Sequence, residues 1–183
     1  MFEDNYFFEE SKNSIIKITG SDKFKFLQGI ISNDIYLLKN KTSIYSAILS
    51  PQGKFISDFI ISTHDDNFYI EINNNNLEEI LTKFSLFKLK SNVSFKVIEN
   101  AKIILSNMNL RNIIMNYAQA FFDPRFNEFF TRIYLFESNI KFKSNKIKTH
   151  KLTEKEFKEL RLRHGIPDFQ VDKISNKSFL MEM

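Results

Sequence analysis

Three isoleucines set among polar residues in SIIKIT (residues 14 to 19), broken off at Gly20, predict a strand and its end. Ser21 or Asp22 can then cap a helix whose apolar residues Phe24, Leu27 and Ile31 recur at helical spacing. Residues 44 to 49 and 55 to 63 read as two strands around Ser50-Pro51-Gln52-Gly53, a sequence suited to a type I turn with Pro second and Gly fourth. After the polar break HDDN, residues 68 to 72 read as a third strand. The asparagines 73 to 76 form a loop with Asn76 as helix cap. Leu77, Ile80, Leu81 and Phe84 trace the face of the next helix, and residues 93 to 98 alternate like a closing strand.

The resulting order, β-α-β-β-β-α-β, predicts an α+β lobe over residues 1–100, with helices lying on a mostly antiparallel sheet. A second α+β lobe, residues 101–183, opens with the strand KIILS. It continues through a weak helical stretch, LRNIIMNYA, a break at FFDPR and a strand around TRIYLFE. Residues 138 to 151 carry lysines at 141, 143, 146, 148 and 151 and no acid, so an exposed connection is expected there. Thr153 and Glu156 then make a T-x-x-E capping box, and Gly165 and Pro167 supply the stop and the breaker of the helix that follows.

The pattern singles out one acid. In FISDFII, strict alternation puts Phe55, Ser57, Phe59 and Ile61 on one face and Ile56, Asp58 and Ile60 on the other, so a carboxylate among isoleucines needs a partner. The preceding QGK is not a phosphate loop: Ile48 stands where that motif needs glycine, and Phe55 where it needs Ser or Thr.

Composition narrows the chemistry further. The 183 residues include no cysteine, which excludes a disulfide framework, a thiolate nucleophile and a cysteine-ligated metal or cluster on these residues. The histidines 64, 150 and 164 have no metal-ligand spacing, no Ser-His-Asp set is present, and neither a metal site nor a catalytic residue is assigned. With 21 phenylalanines, each one is discounted as a signal. An acidic start and the lack of a run of ~18 apolar residues lead to the expectation of a soluble, cytoplasmic protein without membrane contact. The net charge of +4 reads as an ordinary lysine-rich surface. An RNA-binding face from Arg161, Arg163, Phe142, Phe157 and the lysines before them is the rival, and Glu154, Glu156 and Glu159 on the same helix oppose it.

Four stretches carry a family resemblance: ITGSDKFKFLQGIISNDI (18 to 35), ILSPQGKFISDFII (48 to 61), DPRFNEFFTR (123 to 132) and ELRLRHGIPDF (159 to 169). In content and order they resemble the YgfZ-type folate-binding proteins, relatives of the glycine-cleavage aminomethyltransferase. The resemblance implies lobes around a central cavity that takes tetrahydrofolate or a derivative, and a role in assembly or repair of iron-sulfur proteins, including those that thiolate tRNA. It implies iron-sulfur proteins or assembly factors as partners. By the same resemblance Phe157 would stack on the pterin, Asp58 or Asn33 and Asp34 would hydrogen-bond it, and Lys54 or Arg161 would lie near the glutamate tail.

Departures from the family qualify these roles. The aminomethyltransferases show two aspartates where this chain has Ser57-Asp58, which argues against aminomethyl transfer. Two tryptophans of some YgfZ proteins correspond to Asn13 and Phe157. Met183 falls before the cysteine segment K-G-C-Y-x-G-Q-E and the small barrel lobe, and an apolar face left by that lobe would favour self-association. A tetrahydrofolate-dependent aminomethyltransferase is the enzymatic alternative.

Overall fold

A computed structural model describes residues 5–108, 118–126, 129–136, 149–166 and 168. Along the chain these form β1 (Asn5–Glu10), β2 (Asn13–Thr19), α1 (Lys23–Gln28), β3 (Ser43–Leu49), β4 (Phe55–His64), β5 (Asn67–Asn73), α2 (Leu77–Lys88) and β6 (Ser94–Val97). They continue as β7 (Lys102–Ser106), β8 (Ala118–Phe122), β9 (Thr131–Leu135), β10 (Thr149–Lys151) and α3 (Glu154–Arg163). Short 3-10 turns occupy Ile35–Lys39 and Asn74–Asn76. The described residues fall into two compact units, 13–97 with 168, and 5–12 joined with 98–166. Both are α+β with mostly antiparallel sheets, as the alternation predicts.

In the 13–97 unit the sheet order is β3-β4-β5-β2-β6, every pair antiparallel. Ile16, Ile18, Ile44, Phe59, Ile61, Ile70 and Ile72 line one face, packed against Phe26 and Leu27 of α1 and Ile80 and Phe84 of α2. Each such side chain contributes about 1.5–3 kcal/mol over exposure. A one-residue slip would turn the whole set to the other side, so this face fixes the register.

Three local expectations change. Ile31 does not extend α1; the helix stops at Gly29, and Ile31 bridges to Ile48 beside β3. Asn76 precedes α2 but makes no capping bond, because its carboxamide donates to Ser57 Oγ at 2.9 Å, while Asn73 accepts the Asn75 amide instead. Alternation along β4 breaks at Ile56: Ser57 pairs with Ile48 and Phe55 with Leu49, so Ile56 is the extra residue of a bulge. Ile56 therefore joins the helix-facing core, and Phe55 moves to the face of Asp58, with Ala47, Tyr45 and Leu49. The turn that feeds the bulge is closed by the Gly53 amide on the Ser50 carbonyl (2.9 Å). Gly53 lies at φ +80, and the Ser50 amide bonds the Lys54 carbonyl (2.8 Å).

The second unit has sheet order β10-β1-β7-β9-β8, with β1 and β10 parallel and the other pairs antiparallel. The acidic start thus contains a strand that the alternation did not announce. Its Phe8 is buried with Leu105, Phe126, Phe130, Leu152, Leu160 and Ile166. The FFDPR break opens with Phe121 and Phe122, which finish β8, and only Asp123 starts the turn. Most of LRNIIMNYA, of the lysine-rich connection, and Pro167 lie outside the described residues.

Helix α3 begins at the expected capping box: the Glu156 amide donates to Thr153 Oγ1 (3.3 Å) and the Thr153 amide to Glu156 Oε2 (2.8 Å). It ends with Gly165 at φ +68, the Gly165 amide on the Leu162 carbonyl and the Ile166 amide on the Arg161 carbonyl, a Schellman closure.

A charge cluster lies inside this unit. Asp123 is fully buried and accepts from Arg125 Nε (3.1 Å), Arg125 Nη2 (2.9 Å) and Arg132 Nε (2.9 Å), with Arg132 only 2% exposed. Burial alone would push the Asp123 carboxyl up, but the charges of Arg125 and Arg132 and the Arg125 hydrogen bonds hold it well below the usual carboxylate range.

Candidate functional site

Asp58 stands on the sheet face of the 13–97 unit that turns away from α1 and α2. It pairs with Ala47 on β3, and Tyr45 Oη, one row along, donates to its Oδ2 at 2.8 Å. Both residues are half-buried. A second acid shares the face: Glu71, opposite Ile60 and Ile15, is buried and accepts from Asn13 Nδ2 at 2.7 Å. Around them lie Phe55, Ala47, Ile60 and Ile15, all buried. The arrangement is an apolar lining with a few placed polar atoms, the usual composition of a small-molecule site. A carboxylate can accept several hydrogen bonds at once, so Asp58 can hold Tyr45 and a ligand N–H together.

Asn33 and Asp34 sit in the segment that clips onto β3, the edge strand of the sheet. The Ser32 amide donates to the Ala47 carbonyl (2.8 Å), and the Ala47 amide to Ser32 Oγ (2.9 Å). Asn33 Nδ2 donates to the Tyr45 carbonyl (2.8 Å), and its Oδ1 accepts the Asp34 amide (2.8 Å). Asn33 thus fixes the backbone of the tyrosine that holds Asp58. Asp34 is exposed and caps the 3-10 turn by accepting the Tyr36 amide (2.9 Å). Lys54 is exposed at the end of the 50–53 turn.

The remaining two candidates lie in the second unit, one helical turn apart on α3. The Phe157 ring stacks on Phe8, centroids 3.9 Å apart and planes within 5°, so one of its faces is already taken. Arg161 is 5% exposed and donates from Nη1 to the Ile166 carbonyl (3.0 Å), securing the helix exit. Of the six candidates, then, the structure links Asn33 to Asp58 through Tyr45 and keeps Asp34 next to them.

Tyr45 and Glu71 were not singled out by the sequence, although a signal was present. Glu71 lies between Ile70 and Ile72, the same kind of lone acid in an apolar strand as Asp58, and Tyr45 brings a hydroxyl to an otherwise apolar run. Among the described residues no group of His, Cys, Asp and Glu could hold a metal ion, and no helix is long and apolar enough to cross a membrane.

The chain superposes on the crystal structure of glycine cleavage system aminomethyltransferase T from Bartonella henselae. The TM-score is 0.62 at 16% identity, over 72% of this chain and 42% of that one. The fold is therefore of the aminomethyltransferase type. In sequence the chain is similar to the iron-sulfur cluster assembly factor IBA57 homologs, mitochondrial, of two fungi. One, from Pyricularia oryzae, is 27% identical over 92 residues, 48% of this chain and 23% of that protein. The other, from Neurospora crassa, is 29% identical over 92 residues, covering 46% and 21%. It is also similar to an aminomethyltransferase of Staphylococcus epidermidis, 37% identical over 67 residues, 37% of this chain and 18% of that one. The chain spans about a fifth of the length of these curated relatives, with shares of 23%, 21% and 18%. No family model matches the chain.

Proposed function

We propose that this chain is a folate-binding accessory factor of the YgfZ kind, supporting the assembly or repair of iron-sulfur proteins, and that it does not transfer aminomethyl groups. The observation that carries this reading is the Tyr45–Asp58 pair on an apolar face of an aminomethyltransferase-type sheet. Similarity to proteins named as iron-sulfur cluster assembly factors supports the cellular role. Against group transfer stands Ser57, which is buried on the opposite, helix-facing side and bonded to Asn76, so positions 57 and 58 offer one carboxylate to the site and not two.

In this reading Asp58 accepts N–H groups of the pterin ring of tetrahydrofolate or a derivative, with Tyr45 and Asn33 holding it in place. Asp34 shapes the segment that carries Asn33. Exposed Lys54 is a better match than interior Arg161 for the charged glutamate tail.

Titration calorimetry of the 183-residue chain with tetrahydrofolate tests the proposal. Hydrogen bonds to a charged group contribute about 1.5–3 kcal/mol, so Asp58→Asn is expected to weaken binding by about 10- to 100-fold, and Tyr45→Phe by only a few-fold. Phe157→Ala, run alongside, tests the stacking that the resemblance implies. No binding by a folded wild-type chain, or equal binding by Asp58→Asn, overturns the site. Formation of methylene-tetrahydrofolate from an aminomethyl donor would restore the enzymatic alternative.

A further inference from the structure

Between the C-terminal ends of α1 and α2, the 13–97 unit holds an open cleft of about 730 Å³, with the 50–53 turn on its third side. Ile30, Pro51, Phe87 and Leu89 make its walls apolar, and Lys25 and Lys90 stand on its rim. Phe87 is 51% exposed, Leu89 86%, and Leu86 beside them 68%, a concentration of bare apolar surface of the kind that marks interaction sites.

The backbone at Leu89 points the same way. The Ser91 amide donates to the Lys88 carbonyl at 2.8 Å, closing a four-residue turn with Leu89 at its first central position, φ +46 and ψ −116. That is the conformation of a type II′ turn, which glycine adopts without strain and a bulky residue does not. With its side chain so exposed, the leucine gains little packing in return.

This turn is also fixed in place. The Asn92 amide donates to Asp22 Oδ2 (2.7 Å) and the Asn92 carboxamide to Ser21 Oγ (3.1 Å), while a Cβ on Gly20 would lie 2.0 Å from the Asn92 carbonyl oxygen. A strained, solvent-facing leucine on a wall locked to the start of α1 is a preorganised contact surface.

Charge names the occupant. Lys25 and Lys90 are exposed and form no ion pair with a described residue, whereas Asp22, the acid of the same lining, already takes the Asn92 amide. We propose that this cleft docks a short acidic and apolar segment of a partner protein. One large apolar side chain packs against Phe87 and Leu89, and flanking carboxylates meet Lys25 and Lys90. A concave site with a fixed wall suits a peptide better than the flat surface of a lipid bilayer. The docking does not depend on folate binding.

The test is selection of displayed random peptides on the whole chain, followed by fluorescence anisotropy with the recovered sequences. Wild type is expected to recover peptides that combine acids with Phe, Leu or Met. Leu89→Gly is expected to weaken them by about tenfold or more, while its unfolding midpoint stays level or rises. Phe87→Ser is expected to act in the same direction, and Lys25→Glu with Lys90→Glu to shift selection toward basic peptides. The proposal is overturned if wild type recovers no acidic peptides, if Leu89→Gly recovers the same ones with equal affinity, or if that substitution lowers the midpoint. It is equally overturned if Leu89→Gly instead abolishes binding to mixed phosphatidylserine and phosphatidylcholine vesicles, or a concentration-dependent dimer of this chain.

Discussion

Substituting Asp123 by asparagine keeps the size of the side chain and removes its charge. Arg132, 2% exposed, would then face a neutral amide where it now meets a carboxylate oxygen at 2.9 Å, and Arg125 would lose its two-pronged partner. Breaking a buried pair from one side costs about 3–5 kcal/mol, a large share of the ~5–15 kcal/mol by which domains are stable. The same carboxylate also sets an acid limit. Its pKa is lower in the folded chain than in the unfolded one, so its contribution is fully present above the unfolded value and is lost as pH falls below it, where only the unfolded chain takes up the proton. From about pH 5 to about pH 3 that loss is about 1 kcal/mol for this one group. Urea unfolding followed by circular dichroism at several pH values reads both quantities. Wild type should be more stable at neutral pH by about 3 kcal/mol or more, and should lose about 1 kcal/mol more than Asp123→Asn on acidification. Parallel pH curves, or a neutral-pH difference under about 1 kcal/mol, would refute the account of a charged carboxylate held between two guanidinium groups.

Gly20→Ala would place a methyl group 2.0 Å from the Asn92 carbonyl at φ +111, and should cost about 2–4 kcal/mol in the same urea assay. A stable Gly20→Ala protein would mean that the Asn92 contact is looser than the geometry states. Thr153→Ala removes the side chain that accepts the Glu156 amide, and should lower stability by about 1 kcal/mol, with faster hydrogen exchange confined to the first turn of α3. The folate titration with Asp58→Asn and the peptide selection with Leu89→Gly complete the set.

Local chemistry was legible in the sequence where it is complete within a few residues. The Thr153 box, the Gly165 exit and the isoleucine strands of the 13–97 unit all follow from short-range spacing, and the structure has them. What escaped depends on pairing across distance. The bulge at Ile56 exists only because β4 meets β3 two residues against one, and no property of FISDFII by itself reveals it. Asn76 has the chemistry of a cap, but Ser57 on another strand claims its carboxamide. Asp-Pro-Arg reads as a break because Arg132, the second charge that makes Asp123 an interior residue, comes from β9. Of the site, Asp58 was visible as an acid out of place. Its tyrosine was not, since Tyr45 becomes meaningful only once β3 and β4 are aligned.

The pairing of β1 sets the order in which the chain can finish folding. The Tyr6 amide bonds Asn107 Oδ1, 101 positions away. At about 5–20 residues per second of synthesis, β1 waits on the order of 5–20 s for β7 to exist. All five strands of the 13–97 sheet are made within that interval, and each finds its neighbours among them. Through the wait, an unpaired strand bearing Phe7 and Phe8 is exposed to wrong partners, and Glu9 and Glu10 beside them give it the charge that discourages edge-to-edge pairing. β10 joins later still, on the other edge of β1, through Asn5 and Thr149. The return of this early segment to a late sheet is a non-local closure, the kind of contact that slows folding.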